Sequence, residues 1–370
     1  MKMTAAETQY FTLLRAALWG TPLPVNMEID WKAVMQLAEY HKNSVLLSDV
    51  AAQMTEGNQP SPERLGSMQT AMRSNLLHQM RLRQILVSAV QLLRQHGIEP
   101  VLLKGFGLAM LYPNPALRQF GDIDLYVGLE DFHEACALLR SLPGSYNWGE
   151  EVDSGRHYNI EFGQYPMEIH RVSADVENAK DNAVYASIER EGLWEHPQRV
   201  NFDGFEISVP SKEFTIFFTF FHAWHHFLTT GVGWRQLSDV AMALHAYRDQ
   251  FDTDDLQEWI DAMHLLQPWQ TFGYLLVHCL GLPEAEMPFY DASCHHKAKR
   301  LYRRIMKEGD FKRERKFRNH RPKRRLWQKL HAFICIFIDF FHTAAVFPQQ
   351  AFRELLVSLK LGFEKKSKKK

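Results

Sequence analysis

The chain has 370 residues, an apolar fraction of 46% and a formal net charge of zero, values typical of a globular protein of two or three modules. Its four cysteines have no paired spacing, which argues against a zinc site or a disulfide framework and favours the reducing cytoplasm. The N-terminus lacks the apolar core of a signal peptide. The zero net charge hides an asymmetry. Residues 1–296 contain 20 Lys and Arg against 37 Asp and Glu, whereas residues 297–370 contain 23 against 6.

In chain order, apolar periodicity and charge predict four regions. They are an N-terminal helical region (1–96), an α/β domain (97–210), a helical domain (211–296) and a basic region with amphipathic C-terminal helices (297–370). The mixture of strands and helices within 97–210 favours a small α/β or α+β domain between mostly helical segments.

The predicted elements begin with short helices over 5–55, one of them capped by Asp30, and a long helix over 62–96 capped by Ser61 and ended by Gly97. Buried or alternating apolar runs predict strands at 100–103, 122–127, 157–162, 167–171 and 205–209. Helical spacing predicts helices at 108–111, 130–141, 180–190, 211–229, 235–248, 254–265, 268–279, 294–307, 326–345 and 350–361.

Two aspartates one residue apart form the strongest chemical signal in the chain. Asp122 and Asp124 lie in an apolar run, and side chains at i and i+2 of a strand point to the same face. Two carboxylates held this close repel each other unless a cation lies between them, and Mg²⁺ prefers such oxygen ligands. An Asp-x-Asp sequence also occurs as a turn or cap device, so the pair alone leaves both readings open.

Motifs on both sides of this aspartate pair make the chain resemble a known family. Leu103-Lys104-Gly105, then Arg118, then Gly121-Asp122-Ile123-Asp124-Leu125, then Glu168-Ile169-His170 resemble the nucleotidyltransferase superfamily of DNA polymerase beta. More narrowly, they resemble the bacterial group of uncharacterised nucleotidyltransferases, over roughly residues 95–250. The resemblance implies an α+β fold with a small mixed sheet flanked by mostly helical segments, and a helical domain over 211–296 that completes the pocket. It also implies a metal-dependent transferase that moves a nucleoside monophosphate from Mg²⁺-bound NTP (or Mn²⁺-bound NTP) to an acceptor hydroxyl of a small molecule, sugar or protein.

The resemblance also implies roles for individual residues. Asp122, Asp124 and Glu168 would be the catalytic carboxylates and metal ligands, with Glu168 holding a second metal or taking the acceptor's proton. The turn at Lys104 and Gly105 would bind phosphate oxygens. Two arginines and two supporting side chains complete the expected site. Arg118 would neutralise the leaving pyrophosphate, Arg235 would bind the nucleotide or acceptor, His170 would hydrogen-bond a carboxylate, and Asp239 would support Arg235.

Some features fit a second reading. The superfamily's Gly-Ser turn is Gly105-Phe106 in this chain, and Phe106 offers no hydroxyl to a phosphate. The alternative function is therefore a non-catalytic nucleotide-binding or partner-recruiting module with the same fold. His170 also fits a half-buried core histidine, and Arg235 and Asp239, four residues apart, fit an ordinary surface ion pair. His222 and His226 share a helix face at a spacing that can bind a metal, but aromatic packing is the favoured interpretation.

The basic C-terminal region predicts an anionic partner. Residues 297–330 contain 16 Lys and Arg, and the apolar helix that follows is interrupted by His331 and Asp339, so it does not suit a membrane span. Peripheral contact with the inner membrane face and packing on the acidic body fit this pattern equally well. Nucleic acid is a less favoured partner, because no nucleic-acid motif is present.

Overall fold

One mixed sheet organises the centre of the molecule. The computed structural model describes residues 2–24, 27–55, 58–146, 156–176, 178–202, 204–309, 327, 334, 337–338, 340–353 and 355–356. The strands are β1 (Val101–Leu102), β2 (Ile123–Tyr126), β3 (Ser145–Tyr146), β4 (His157–Phe162), β5 (Tyr165–His170), β6 (Gln198–Phe202) and β7 (Phe205–Val209). Their order across the sheet is β3-β4-β5-β2-β1-β7-β6.

β2 lies in the middle of this sheet, antiparallel to β1 and parallel to β5. All four of its residues are buried. Ile123 and Leu125 point into an apolar core, while Asp124 and Tyr126 point to the opposite face. A slip of one residue would move Asp124 into that core and expose Leu125 to the polar side, so the sequence fixes the register of this strand.

The helices that flank the sheet lie close to the positions that the helical spacing of apolar residues predicted. They are α1 (Ala5–Trp19), α2 (Trp31–Tyr40), α3 (Ser44–Gln53), α4 (Pro62–Gln95), α5 (Phe106–Ala109), α6 (Gly128–Arg140), α7 (Ala179–Arg190), α8 (Lys212–Leu228), α9 (Trp234–Tyr247), α10 (Thr253–Ala262), α11 (Leu266–Leu275) and α12 (His295–Glu308). The predicted caps are confirmed, because Asp30 accepts from the N–H of Ala33 and Ser61 accepts from the N–H of Arg64.

Two apolar cores lie on the two faces of the sheet. α4 and α6 cover the Ile123 and Leu125 face, where Leu86, Val90 and Leu139 are buried. The opposite face joins a larger core formed by the N-terminal helices together with α8, α9 and the helices that follow. The cavity described below lies on this second face, between the sheet and α8–α9.

The structure adds two strands that the sequence did not predict, β3 and β6. β6 pairs antiparallel with β7, from Gln198 opposite Val209 to Phe202 opposite Phe205. The first four residues of β6 are at least partly exposed and mostly polar, so the apolar alternation that identifies a strand is weak there.

The predicted C-terminal helices fall largely outside the described residues. Among those described, residues 327, 334, 337–338, 340–344, 348–353 and 355–356 are helical. Val346, Phe347 and Ala351 are buried, and the Phe347 ring lies 5.0 Å from Trp224 and 5.8 Å from Phe227 between centroids. This part of the segment packs on α8. Among the helices that the structure describes, none has the length and apolar character needed to cross a bilayer.

Candidate active site

The carboxylates meet where β2 and β5 run side by side. The parallel register places Asp124 opposite Glu168 and Tyr126 opposite His170. Because paired residues of neighbouring strands project to the same face, Asp124 and Glu168 share one side of the sheet. Asp122 comes directly before β2 and lines the cavity together with Glu168.

Asp124 lies at the floor of the site and is fully buried. Its Oδ1 is 3.0 Å from Lys104 Nζ and 3.1 Å from His170 Nε2. Burial alone would raise the pKa of Asp124, but the charge of Lys104 and the hydrogen bond from His170 outweigh it, so the pKa falls below its usual value. Asp124 therefore carries a negative charge at neutral pH.

The pKa values of Asp122 and Glu168 shift in opposite directions, although both side chains are carboxylic acids. The neighbouring charge of Asp124, with burial second, raises the pKa of Asp122. For Glu168, burial is the largest effect and opposes ionisation, but the hydrogen bond and charge of His170 together with the charge of Lys104 outweigh it and lower the pKa. The distance from His170 Nε2 to Glu168 Oε2 is 3.3 Å. Glu168 is thus an ionised carboxylate, with a side chain 27% exposed, at the edge of the cavity.

His157 adds a second imidazole beside Glu168. Its Nε2 lies 4.0 Å from Glu168 Oε2, and its ring centroid lies 5.2 Å from that of His170. The Nδ1 atom of His157 accepts a hydrogen bond from Arg156 Nε at 3.0 Å. A neutral imidazole with an accepting Nδ1 carries its hydrogen on Nε2, so His157 presents an N–H towards Glu168. The antiparallel pairing of β4 with β5, His157 opposite His170, produces this arrangement.

A group of three possible metal ligands results from this packing. Within the described ranges, the ligand atoms of His157, Glu168 and His170 lie within 4.8 Å of one another. The hydrogen-bond roles disfavour the two imidazoles as ligands, because both present N–H groups towards carboxylates. For His170, burial would lower the pKa, but hydrogen bonds to Asp124 and Glu168 and the charges of these two residues outweigh it and raise the pKa.

The carboxylates themselves fit a cation better. Asp124 Oδ2 is buried and has no hydrogen-bond partner among the described residues, a costly state for an ionised oxygen. The raised pKa of Asp122, caused first by Asp124, indicates that the charge of Asp124 opposes ionisation of Asp122. A hard divalent ion bound by these oxygens would give Asp124 Oδ2 a partner and would reduce the repulsion between the charges of Asp122 and Asp124.

A cavity of about 290 Å³ opens above these groups. Most of the residues predicted for the site line it: Lys104, Gly105, Arg118, Asp122, Glu168, Arg235 and Asp239. Asp124 and His170 are buried beside it. The lining also includes polar residues that the sequence did not assign to the site: Arg156, Thr219, His222, His226 and Gln236.

The turn after β1 brings backbone close to the aspartates. Gly105 has φ 62°, in the left-handed region that favours glycine, and a Cβ there would lie 3.3 Å from the carbonyl oxygen of Asp122. Phe106 is buried, with its ring centroid 4.7 Å from that of Phe120. The residue in the place of the superfamily's serine therefore belongs to the apolar core.

Arg118 makes contacts other than those expected of a phosphate ligand. Its Nε lies 2.6 Å and its second terminal nitrogen 2.8 Å from the two carboxylate oxygens of Asp239, and its remaining nitrogen donates to the carbonyl of Gly105 at 3.1 Å. Tyr112 also donates to Asp239 at 2.7 Å. Arg118 and Asp239 are only 3% and 4% exposed. These contacts favour a role in holding the Gly105 turn against α9.

Arg235 and Asp239 both line the cavity, and Asp239 is only 4% exposed, so Asp239 does not belong to an ordinary surface ion pair. Asp239 binds Arg118 instead, and Arg235 donates to the carbonyl of Gln119 at 3.4 Å. The positive charge of Arg235 also lowers the pKa of Asp122, against the larger effects of Asp124 and burial. Arg235 is therefore a cation on the wall of the cavity, close enough to influence the carboxylates.

His222 and His226 lie on the same face of α8 and form another part of the wall. Their ring centroids are 4.4 Å apart, and Phe218 packs against His222. Burial, followed by the charge of Lys104, lowers the pKa of His222 well below its usual value and that of His226 to about 3. Aromatic packing is confirmed, but these neutral imidazoles also face the cavity.

Comparison with known proteins agrees with the motifs. The model of a family described as uncharacterised nucleotidyltransferase matches residues 27–281, and the chain belongs to this family. Among curated proteins no relative matches. One similar solved structure is an antigenic nucleotidyltransferase-like protein from Paracoccidioides brasiliensis. It is 12% identical, with a TM-score of 0.35, and the match covers 58% of this chain and 96% of that one.

Proposed function

We propose that this chain transfers a nucleoside monophosphate from a metal-bound NTP to an acceptor hydroxyl and releases pyrophosphate. Its family supports the general class. The observation that carries the specific reaction is the convergence of Asp122 and Glu168 with the cations Lys104 and Arg235 on one cavity. Beside them lies Oδ2 of buried Asp124, which has no hydrogen-bond partner among the residues that the structure describes.

In this proposal Asp122, Asp124 and Glu168 hold Mg²⁺ or Mn²⁺. The bound metal would withdraw charge from the phosphoryl oxygens and stabilise the leaving pyrophosphate. Lys104 and Arg235, with the backbone at Gly105, would bind the triphosphate chain, because fixed cations in a partly closed cavity stabilise its negative charge.

Glu168 is the residue that we assign to the acceptor's proton. Its lowered pKa leaves it ionised, and its exposed edge faces the cavity. The acceptor oxygen forms a bond to the α-phosphorus, the bond from that phosphorus to the pyrophosphate oxygen breaks, and the hydroxyl proton passes to Glu168. His170 Nε2 lies 3.3 Å from this carboxylate and would hold it in place, while His157 Nε2 lies further away, at 4.0 Å.

A second candidate function is a nucleotide-binding module without turnover. The burial of Phe106 favours it, because the turn then presents no hydroxyl to the terminal phosphates. In this alternative the same carboxylates and cations would bind a metal-nucleotide complex, but no acceptor would react with it.

One experiment separates the two functions. Each NTP is incubated with Mg²⁺ or Mn²⁺ and candidate acceptors, and both pyrophosphate release and NTP binding are measured. The transferase predicts release that Asp122→Asn and Glu168→Gln abolish, while the matched exposed control Glu134→Gln behaves as wild type. Metal-dependent binding without release for every NTP and acceptor would favour the binding module. Absence of metal-dependent binding would contradict both.

A further inference from the structure

The C-terminal segment carries large apolar side chains on its outer surface. Six of them are between 43% and 67% exposed: Trp327, Ile334, Ile338, Phe341, Phe352 and Leu356. Phe340 joins part of this set, because its ring lies 5.2 Å from Phe341 and 5.1 Å from Phe352 between centroids. An exposed apolar surface of this kind marks a contact site for a partner or a membrane.

Contacts on the inner side attach residues 343–347 of this segment to the body. Phe347 packs between Trp224 and Phe227 of α8. From α12, Arg304 donates to the hydroxyl of Thr343 at 2.8 Å, and Arg300 donates to the carbonyl of Ala345 at 2.7 Å. Next to these attached residues, the side chains of Phe341 and Phe352 remain exposed.

Positive charge lies next to this apolar surface. α12 packs against the segment and exposes Arg300, Arg303 and Lys307. The chain from residue 297 to residue 330 contains 16 Lys and Arg against three acidic residues. Since residues 1–296 are net acidic, the positive charge is concentrated in the C-terminal part of the sequence.

Aliphatic and aromatic side chains beside exposed cations suit an anionic lipid surface. The apolar side chains can enter the boundary between headgroups and acyl chains while the cations approach the lipid phosphates. Nucleic acid would use the cations and stack on aromatic rings, but it offers little to isolated aliphatic groups such as Ile338 and Leu356. We propose that this surface binds the protein peripherally to an anionic membrane.

The test uses the full chain with vesicles of phosphatidylcholine, with and without phosphatidylglycerol, in a sedimentation assay. The triple variant Ile338→Ser/Phe341→Ser/Phe352→Ser removes exposed apolar groups. The matched control is Leu76→Ser/Leu77→Ser/Met80→Ser on α4, whose three side chains are exposed to a similar degree. The proposal predicts at least about tenfold weaker binding to anionic vesicles for the triple variant and less than about twofold for the control.

A charge variant gives an independent measurement. Arg303→Glu/Lys307→Glu should weaken binding to anionic vesicles by about tenfold or more, while binding to neutral vesicles stays negligible. Equal binding of wild type and the apolar triple variant would overturn the proposal. So would binding to polyuridylate RNA that is tighter than binding to anionic vesicles. Circular dichroism spectra that match wild type establish that each variant is folded.

Discussion

The buried ion pair between Arg118 and Asp239 gives a stability prediction with a defined magnitude. Both side chains are less than 5% exposed, and Asp239 binds Arg118 through both carboxylate oxygens. Substituting Arg118→Met leaves the Asp239 charge buried, with Tyr112 as its remaining donor in the described structure. The loss of one partner from such a pair should lower the free energy of unfolding by about 3–5 kcal/mol.

A second substitution should recover part of this loss. Arg118→Met/Asp239→Leu removes both charges and leaves the Tyr112 hydroxyl without its acceptor, a residual cost of about 1–3 kcal/mol. The double variant should therefore be more stable than Arg118→Met by roughly 2 kcal/mol. Urea unfolding followed by circular dichroism measures each value.

The matched control is the exposed pair of Arg199 and Glu206, which are 57% and 54% exposed at 2.8 Å. Arg199→Met should cost less than about 1 kcal/mol. If Arg118→Met costs no more than Arg199→Met, Arg118 is not a structural anchor. Its charge would then be available to a phosphate, as the sequence alone suggested.

Three further predictions concern the turn, the core and the cavity wall. Gly105→Ala should lower the free energy of unfolding by about 1–3 kcal/mol, because the positive φ of Gly105 and the nearby Asp122 carbonyl oppose a Cβ at this position. Urea unfolding measures this loss, and a loss below about 0.5 kcal/mol would refute the prediction. Phe106→Ser should cost roughly 3–5 kcal/mol and not raise pyrophosphate release, because it removes a buried ring; undiminished stability would place Phe106 outside the core. Since the folded-state pKa of His226 is about 3, below the unfolded value of 6.5, stability should fall as pH falls from 6.5. Thermal unfolding should show a smaller fall for His226→Gln than for wild type; equal falls would contradict the shift.

Local pattern was sufficient for much of the fold. Alternating apolar residues predicted β4 and β7 at their observed bounds, and helical spacing with a serine cap predicted α4. These elements depend on periodicity and caps, which are local properties of the sequence. β6 was missed because Phe202 is its one buried residue and the four residues before it are mostly polar, so no clear apolar alternation is present.

Local sequence patterns predicted some residues of the site but not all of their contacts. Asp122, Glu168 and Lys104 were found from motif order, and the structure brings them to one cavity. The partner of Asp239 is Arg118, which is 121 residues away, and no local spacing predicts that contact. His157 could have been predicted from the sequence. The two-residue turn between β4 and β5 places it opposite His170, so counting back from the turn would have identified it.

The central claim concerns which phosphorus atom is transferred, and one labelling measurement tests it directly. The protein is incubated with Mg²⁺ and NTP labelled at either the α- or the γ-phosphorus, together with candidate acceptors. Nucleotidyl transfer predicts α-label in the acceptor and γ-label in pyrophosphate, with both signals lost in Asp122→Asn. Transfer of γ-label to the acceptor, or release of γ-label as inorganic phosphate without any α-label transfer, would contradict the proposed reaction.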